Sequence, residues 1–249
     1  MKLANNGGKP EIFFSIQGEG KSLGRPSIFV RSSLCNLHCV WCDTDYTWNW
    51  EGTRFAHVRD QEPGYAKYRM EDEIIETSVS EVAAIIKSYP CKNVILTGGE
   101  PMMQQDDWAA LMMMLKADSG YQFEVETNGT YLPEADFERY IDQYNVSPKL
   151  ANSKNKQSLR EKPDVLRFFA QNKKAVFKFV VASEDDLLEV SDLVNRYEIP
   201  ASRVYLMPEG TSPQALKANR EWIVQACLDH GFWYTDRLHV QIWGDKRGV

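Results

Sequence analysis

The sequence has little positive charge, few histidines and no long hydrophobic run. Its 249 residues include 29 Lys and Arg against 35 Asp and Glu, which gives a formal net charge of −6. This balance argues against a protein that binds nucleic acid directly through phosphate contacts, because such proteins need a basic surface. No stretch has the apolar length of a membrane span or a signal peptide, so we expect a cytoplasmic protein with no membrane partner.

Cysteine is also scarce, and its distribution is uneven. Three of the five cysteines, Cys35, Cys39 and Cys42, fall within eight residues, whereas Cys91 and Cys227 stand alone. In a reducing compartment, isolated cysteines are typically buried small hydrophobic residues rather than disulfide partners. Thiolates as close in sequence as the first three can converge on one soft metal centre.

Two metal centres are compatible with these three thiols. A structural zinc site needs four protein ligands, and the chain has no second pair of closely spaced cysteines, although His38 can complete a Cys3His site. A [4Fe–4S] cluster held by three cysteines leaves one iron without a protein ligand, open to a cofactor or substrate. The thiols alone leave both alternatives open.

Strand and helix signals alternate along most of the chain. Apolar runs predict buried strands at residues 27–31, 93–97, 122–127, 144–148, 175–181 and 203–208, with a late additional strand at 238–243. Helices are predicted near 79–89, 106–117, 134–141, 184–197 and 213–230, the first with Ser80 as its N-cap. This alternation predicts an α/β fold with a parallel sheet, in a single domain over residues 1–249.

Two stretches fall outside this alternation. Residues 11–16 are strand-like and run into the segment 17–24 (QGEGKSLG), whose glycines and polar residues are typical of a substrate-facing loop. Residues 45–76 form a long polar insertion with scattered aromatic residues, and loops of this length are usually functional or disordered. We expect the aromatic rings of the insertion to shelter a metal centre from solvent.

Polar motifs follow the ends of the predicted strands. Arg31 ends the first strand, and the segments 97–101 (TGGEP), 126–129 (ETNG) and 147–149 (SPK) follow the next three. In parallel α/β folds, including barrels, the chemistry sits at the carboxyl ends of the strands. Arg31 can pair bidentately with a carboxylate, and Glu100 can accept hydrogen bonds from an ammonium group. The alternatives are a surface arginine and polar groups that only cap loops.

The spacing of the cysteines in the cluster loop, residues 35–44 (CNLHCVWCDT), resembles the Cx3CxΦC signature of the radical S-adenosylmethionine (SAM) enzymes, with Trp41 as the aromatic residue. The QGEG loop, Arg31, Asp43-Thr44 and the GGE, ETNG and SPK motifs together resemble the 7-carboxy-7-deazaguanine synthase family of that superfamily. The resemblance implies a partial (β/α)6 barrel with an N-terminal extension and a C-terminal extra strand.

The same resemblance implies a lyase of 7-deazapurine (queuosine-type) biosynthesis. In this reaction 6-carboxy-5,6,7,8-tetrahydropterin loses ammonia and contracts its ring to 7-carboxy-7-deazaguanine, after a 5′-deoxyadenosyl radical derived from SAM removes hydrogen from C6. The implied cofactors are a [4Fe–4S] cluster, SAM and Mg2+. The implied partners are the small-molecule substrate, a reducing protein such as flavodoxin or ferredoxin, and a second copy of the chain in a homodimer.

Residue assignments also come from the resemblance. It implies that Cys35, Cys39 and Cys42 hold the cluster and that Thr44 contacts Mg2+. The residues implied to bind SAM are Trp41, Asp43, Gly99, Glu100, Glu126, Asn128, Ser147, Pro148 and Lys149. The residues implied to bind the substrate are Ile16, Gln17, Gly18, Glu19, Arg31, Thr97 and His239.

Alternatives remain open for the function and for two of these residues. A glycyl-radical-enzyme activating enzyme shares the small size and the cysteine spacing, but the QGEG loop and Asp43-Thr44 have no evident purpose in it. Thr44 can instead begin the next element as an N-cap. His239 can instead be an ordinary core or surface histidine.

Overall fold

The computed structural model describes all 249 residues. Its strands are β1 (Lys2–Asn6), β2 (Lys9–Pro10), β3 (Ile12–Ile16), β4 (Pro26–Ser32), β5 (Ile74–Glu76), β6 (Asn93–Gly98), β7 (Gln122–Thr127), β8 (Gln143–Val146), β9 (Ala175–Val181), β10 (Val204–Pro208) and β11 (Trp233–Tyr234). Its α-helices are α1 (Met70–Glu73), α2 (Val79–Lys87), α3 (Gln105–Lys116), α4 (Ala135–Glu138), α5 (Gln157–Arg160), α6 (Pro163–Gln171), α7 (Glu184–Arg196), α8 (Pro213–His230) and α9 (Leu238–Trp243).

The six predicted barrel strands lie side by side in chain order. β4, β6, β7, β8, β9 and β10 pair in parallel within one 11-stranded sheet, which confirms the predicted α/β class and parallel barrel sheet. The register places Arg31 beside Thr97 and Thr127 beside Val146. The carboxyl ends of neighbouring strands therefore meet at one edge, where the polar motifs follow.

The strands are nearly continuous apolar runs because both of their faces are covered. Val94, Ile95 and Leu96 of β6 are fully buried. Helices pack against the sheet through apolar positions at helical spacing, such as Val82 and Ile86 of α2. Burying each side chain of this size contributes about 1.5–3 kcal/mol, so the core holds the strand ends in fixed positions.

The N-terminal extension adds antiparallel strands to the sheet. β3 pairs with β4 from Ile12 opposite Val30 to Ile16 opposite Pro26, and β1 pairs with both β4 and β5. The loop between β3 and β4 is closed by backbone hydrogen bonds from Gln17 to Arg25 (2.8 Å) and from Gly24 to Gln17 (2.7 Å). The loop therefore begins at the amino end of β4, and its side chains reach inward, where Gln17 donates to Glu126 of β7 at 3.0 Å and Glu19 pairs with Lys178 of β9.

The prediction of a strand at 238–243 was wrong. This segment is helix α9, and the C-terminal extra strand lies earlier, at β11, where it pairs in parallel with β10. Alternation of Leu238, Val240 and Ile242 suggested a strand, but only Val240 is buried. Leu238 is half-buried and Ile242 is exposed, so their spacing did not report on burial.

Three smaller differences concern helices and loops. Helix α2 begins after Ser78, which forms a capping box with Glu81, rather than after Ser80. Helices α5 and α6 were not predicted, and the 45–76 insertion contains α1, β5 and short 3-10 turns at Asp45–Thr47 and Val58–Gln61.

None of the helices combines the length and apolar composition that a membrane span requires.

Candidate active site

A cavity of about 240 Å³ lies at the carboxyl ends of the parallel strands. The predicted site residues that line it are Ile16, Gln17, Gly18, Glu19, Arg31, Cys35, Cys39, Trp41, Cys42, Asp43, Thr44, Thr97, Gly99, Glu126, Asn128, Ser147, Lys149 and His239. Glu100 and Pro148 are the predicted residues that do not line it. Residues distant in sequence therefore share one cavity.

The three cysteines of the cluster loop line the cavity as free thiols. No group of three His, Cys, Asp or Glu side chains in the chain is placed to hold a single metal ion. The His38 ring instead stacks on Phe55, with ring centroids 3.5 Å apart. Three soft ligands on an open cavity fit a [4Fe–4S] cluster with one open iron better than a closed four-ligand zinc site.

The thiols lie in surroundings that disfavour thiolate in the absence of metal. Burial raises the pKa of Cys39 to about 12 and also raises the pKa of Cys35 and Cys42. Metal binding must then displace protons, because the thiolate is the ligand. Of the three thiols, Cys39 is buried, whereas Cys35 and Cys42 are half-buried.

The glycines of the GGE motif allow a close approach between two backbones. Gly98 has φ +125°, and a Cβ on Gly99 would lie 1.9 Å from the carbonyl oxygen of Leu34. The Glu100 amide donates to this same oxygen at 2.8 Å. Only glycine fits here, and the contact holds the chain leading into Cys35 against the end of β6.

Glu100 lies beneath the cavity rather than on its wall. Its fully buried carboxylate accepts hydrogen bonds from the Met102 amide (3.0 Å), the Thr127 hydroxyl (2.8 Å) and the Asn128 amide (2.7 Å). The Asn128 side chain donates in turn to Asn36 of the cluster loop at 2.8 Å. The geometry makes Glu100 the centre of a network that joins β6, β7 and the cluster loop.

Lys149 brings a positive charge to the cluster loop. Its ammonium donates to the Ser147 hydroxyl at 2.9 Å and lies 5.9 Å from the centroid of the Trp41 ring. The indole Nε1 of Trp41 is buried without a hydrogen-bond partner. These three side chains can recognise a polar ligand that carries a carboxylate and an aromatic ring.

Glu19 of the QGEG loop is held by two cations that sequence reasoning missed. Lys178 and Arg237 both line the cavity and pair with the Glu19 carboxylate, Arg237 through Nε at 2.9 Å. Burial acts to raise the pKa of Glu19, but the two cations outweigh it and hold the pKa well below its usual range. Glu19 is therefore an ionised acceptor at neutral pH.

Lys178 also connects Glu19 to Glu126. Its ammonium lies 2.9 Å from Glu126 Oε2, and the other carboxylate oxygen accepts from Gln17 Nε2 at 3.0 Å and Asn145 Nδ2 at 2.9 Å. Burial raises the pKa of Glu126 despite the cation beside it. The lone charge in the buried run 175–181 (AVFKFVV) was the sequence signal for Lys178.

Arg31 presents one side of its guanidinium to the cavity. Its Nε donates to the buried Glu11 carboxylate at 2.7 Å, whereas neither Nη nitrogen has a protein acceptor within hydrogen-bond distance. The buried pair with Glu11 fixes the plane of the guanidinium. Two N–H-bearing nitrogens are then free to bind an anionic group bidentately.

Thr44 precedes the 3-10 turn at Asp45–Thr47, but its side chain does not cap that turn. Its hydroxyl lies 3.6 Å from the Cys42 sulfur and faces the cavity. The structure thus leaves the hydroxyl available to a hard cation, which favours oxygen ligands and keeps part of its hydration.

His239 of α9 lies directly against the QGEG loop. A Cβ on Gly18 would lie 2.0 Å from His239 Nδ1, and the Leu238 amide donates to the Gly18 carbonyl at 2.8 Å. Burial lowers the pKa of His239, so the ring is neutral near pH 7. The segment predicted as a strand therefore reaches the cavity as a helix.

Comparisons with known proteins show what the chain is similar to. The Radical SAM superfamily model matches residues 29–223. The 7-carboxy-7-deazaguanine synthase of Pyrobaculum aerophilum is 37% identical over 240 residues, covering 96% of this chain and 95% of that protein. The synthase of Halobacterium salinarum is 35% identical over 272 residues, covering 98% and 95%.

A solved structure has the same fold over nearly the whole chain. The crystal structure of QueE from Escherichia coli superposes with a TM-score of 0.67 at 24% identity, covering 96% of this chain and 95% of that one. At this identity the likeness describes the fold, including the parallel strands whose ends line the cavity.

Proposed function

Since the chain belongs to the 7-carboxy-7-deazaguanine synthase family of the radical SAM superfamily, we propose that its cavity converts 6-carboxy-5,6,7,8-tetrahydropterin to 7-carboxy-7-deazaguanine. The observation that carries the proposal is the joining, in one cavity, of three cysteine thiols with Arg31 and the Gln17–Glu19 segment. When bound, the cluster and SAM supply the radical that removes the C6 hydrogen, and Mg2+ supplies positive charge for the substrate carboxylate.

Residues of the cluster loop and of the strand ends would together bind the cofactors. Cys35, Cys39 and Cys42 would hold the cluster, and the Thr44 hydroxyl would contact Mg2+. The residues that would bind SAM are Trp41, Asp43, Gly99, Glu126, Asn128, Ser147 and Lys149, all of which line the cavity. Glu100 and Pro148 would act from outside the cavity wall, Glu100 by positioning Asn128 through its 2.7 Å hydrogen bond.

The substrate would be held by charge at one group and by hydrogen bonds at the others. Arg31 would pair with the pterin carboxylate through its two free Nη nitrogens. Gln17 and the ionised Glu19 offer amide and carboxylate groups that match the N–H and carbonyl edge of a pterin. Ile16, Gly18, Thr97 and His239 complete the substrate contacts at the cavity wall.

Lys178 and Arg237 would act as positioning residues for this pocket. Arg237 pairs with both Glu19 and Asp43, so one guanidinium joins the QGEG loop to the cluster loop. It also donates to the Gly210 carbonyl at 2.7 Å. This arrangement fixes the distance between the substrate groups and the cysteines without placing a mobile side chain between them.

The domain organisation, oligomeric state, location and electron donor are proposed from membership of the family. We propose one radical SAM domain over residues 1–249, a homodimer, a cytoplasmic location and electron delivery by a flavodoxin or ferredoxin. The net charge of −6 supports a protein that makes the modified base precursor without binding nucleic acid itself.

Anaerobic reconstitution tests the metal assignment. The protein should bind about four irons per chain and turn brown, because three thiolates hold one cubane. Replacing any of Cys35, Cys39 or Cys42 with alanine should abolish SAM cleavage, whereas Cys91→Ala, outside the cavity, should not. A colourless protein with stoichiometric zinc would contradict the proposal.

A further inference from the structure

The loop that follows β8 docks onto the cluster loop. The Val40 amide donates to the Ser153 carbonyl at 3.2 Å, and the His38 amide donates to Asn155 Oδ1 at 2.9 Å. Between these contacts Lys154 adopts a left-handed conformation with φ +61°, which turns the chain back toward the cysteines. Two backbone amides beside Cys39 are thus satisfied by one loop.

The hydrogen bond from His38 fixes the orientation of the Asn155 amide. A backbone N–H can only donate, so the Asn155 atom beside it must be the oxygen. The NH2 group then points to the other side, where Nδ2 lies 3.3 Å from the Cys39 sulfur. The second N–H can reach the Ser153 hydroxyl, also at 3.3 Å.

We propose that Asn155 is a positioning residue that raises the reduction potential of the cluster by donating a hydrogen bond to the Cys39 thiolate. The inference rests on the proposed assignment of Cys39 as a cluster ligand. Hydrogen bonds to the sulfurs help to set the potential of iron–sulfur clusters. The positive end of the N–H dipole stabilises the reduced form, which carries one more negative charge.

The surroundings of Cys39 strengthen this effect. Cys39 is 6% exposed, so water does not replace the amide as a donor. In a site that excludes water, a hydrogen bond to a charged sulfur is electrostatically stronger than in solution. The donor comes from outside the cluster loop, so it can be removed without changing any cysteine or its neighbours in sequence.

Two variants and one matched control test the inference. Asn155→Leu removes both donor and acceptor while keeping the branching and the number of heavy atoms of the side chain. Asn155→Asp keeps an acceptor for the His38 amide but replaces the donor with a carboxylate oxygen, whose negative charge also acts to lower the potential. Asn152→Ala is the control, because Asn152 lies in the same loop but donates to the Val180 carbonyl at 3.1 Å. The measurement is an EPR-monitored redox titration of the reconstituted cluster without substrate.

We expect full iron content and a more negative midpoint potential in both Asn155 variants, with no shift in Asn152→Ala. A five- to tenfold change in the reduction equilibrium corresponds to about 40–60 mV for one electron, since a tenfold change is 59 mV. An unchanged potential in Asn155→Leu with an intact cluster would overturn the inference. If Asn155→Leu lost the cluster, an unchanged potential in Asn155→Asp would overturn the inference instead. Loss of the cluster in both variants would also overturn it, because Asn155 would then serve only to dock the loop. A parent protein without a cluster would instead refute the proposed function.

Discussion

Arg31 illustrates how the neighbours of one side chain decide what it can bind. Glu11 accepts from its Nε at 2.7 Å and is only 2% exposed. A second arginine, Arg247, donates to the same carboxylate at 2.6 Å from the C-terminal segment. The guanidinium of Arg31 is therefore held in one plane, and its outer nitrogens have no protein acceptor at the cavity that Arg31 lines.

Substitution of Arg31 should reduce activity without affecting the cluster. Arg31→Ala should lower kcat/KM by a factor that corresponds to at least a few kcal/mol of activation free energy. The reason is that it removes one partner of a buried charge pair and leaves Glu11 short of a donor. Arg31→Lys should already be costly, since an ammonium cannot reproduce the planar fork. Steady-state kinetics check this, with uncoupled SAM cleavage and iron content as readouts that stay at parent values. Arg167→Lys, a surface change, serves as the control; equal kinetics for Arg31→Lys and parent would contradict the assignment.

Thr44→Ala should weaken the dependence of turnover on Mg2+ while the cluster stays intact. The hydroxyl is the side-chain oxygen assigned to the ion, and its removal leaves only the substrate and water as ligands. The measurement is turnover as a function of Mg2+ concentration. Thr53→Ala removes a hydroxyl that only donates to the Trp50 carbonyl at 2.7 Å and should behave as the parent. Identical Mg2+ activation in Thr44→Ala and parent would remove Thr44 from the site.

Lys178→Met should make activity depend on pH. Without this cation the pKa of Glu19 and Glu126 should rise, so kcat/KM should fall toward acid and recover as pH rises and the carboxyls ionise. The depressed folded pKa of Glu19 contributes stability that is present above its unfolded pKa and is lost as pH falls below it. Removing the cation should also lower stability by about 3–5 kcal/mol, measured by denaturant unfolding. Lys174→Met, which removes a partly exposed pair with Glu138, is the control. A pH profile identical to the parent would contradict the role of Lys178.

At the scale of elements, the barrel strands followed from local sequence, whereas α9 did not. The runs at 122–127 and 175–181 coincide with β7 and β9 because strands covered on both faces are apolar throughout. In α9 only Val240 packs into the interior, so alternation carried no information about burial. Helix α5 is a single turn of four residues with little periodicity to detect. Helix α6 was missed although Pro163 at its first turn and the apolar residues Val165, Leu166 and Phe169 are helix signals.

The dependence on local sequence also explains which site residues were predicted and which were missed. Cys35, Gln17 and Thr97 belong to motifs that are contiguous in sequence, so a resemblance could identify them. Lys178 and Arg237 reach the cavity only because β9 and the segment before α9 are brought beside the QGEG loop by the fold. Their pairing with Glu19 joins positions more than 150 residues apart, and no local pattern records it.

The contact between α9 and the QGEG loop gives a prediction at this scale. Gly18→Ala should raise KM, because the added Cβ would lie 2.0 Å from His239 Nδ1 and must displace the His239 ring. His239→Ala removes the clash, so the double variant should be no worse than His239→Ala alone. Kinetics of the four proteins form a double-mutant cycle that measures this coupling. Additive effects of the two changes would contradict the proposed contact.

At the scale of the whole molecule, one cavity depends on three distant parts of the chain. The N-terminal hairpin supplies Gln17 and Glu19, the cluster loop supplies the cysteines, and the C-terminal segment supplies Arg237. Arg237 pairs with groups from the first two parts. The parallel sheet between them provides the rigid support that precise positioning requires.

The most direct test of the account is turnover by the anaerobically reconstituted chain. With SAM, Mg2+ and dithionite present, it should convert 6-carboxy-5,6,7,8-tetrahydropterin to 7-carboxy-7-deazaguanine with release of ammonia. Chromatography and mass spectrometry of the reaction mixture measure this conversion. The contradictory result is a protein with an intact cluster that leaves this pterin unchanged while a glycyl-radical partner acquires its radical.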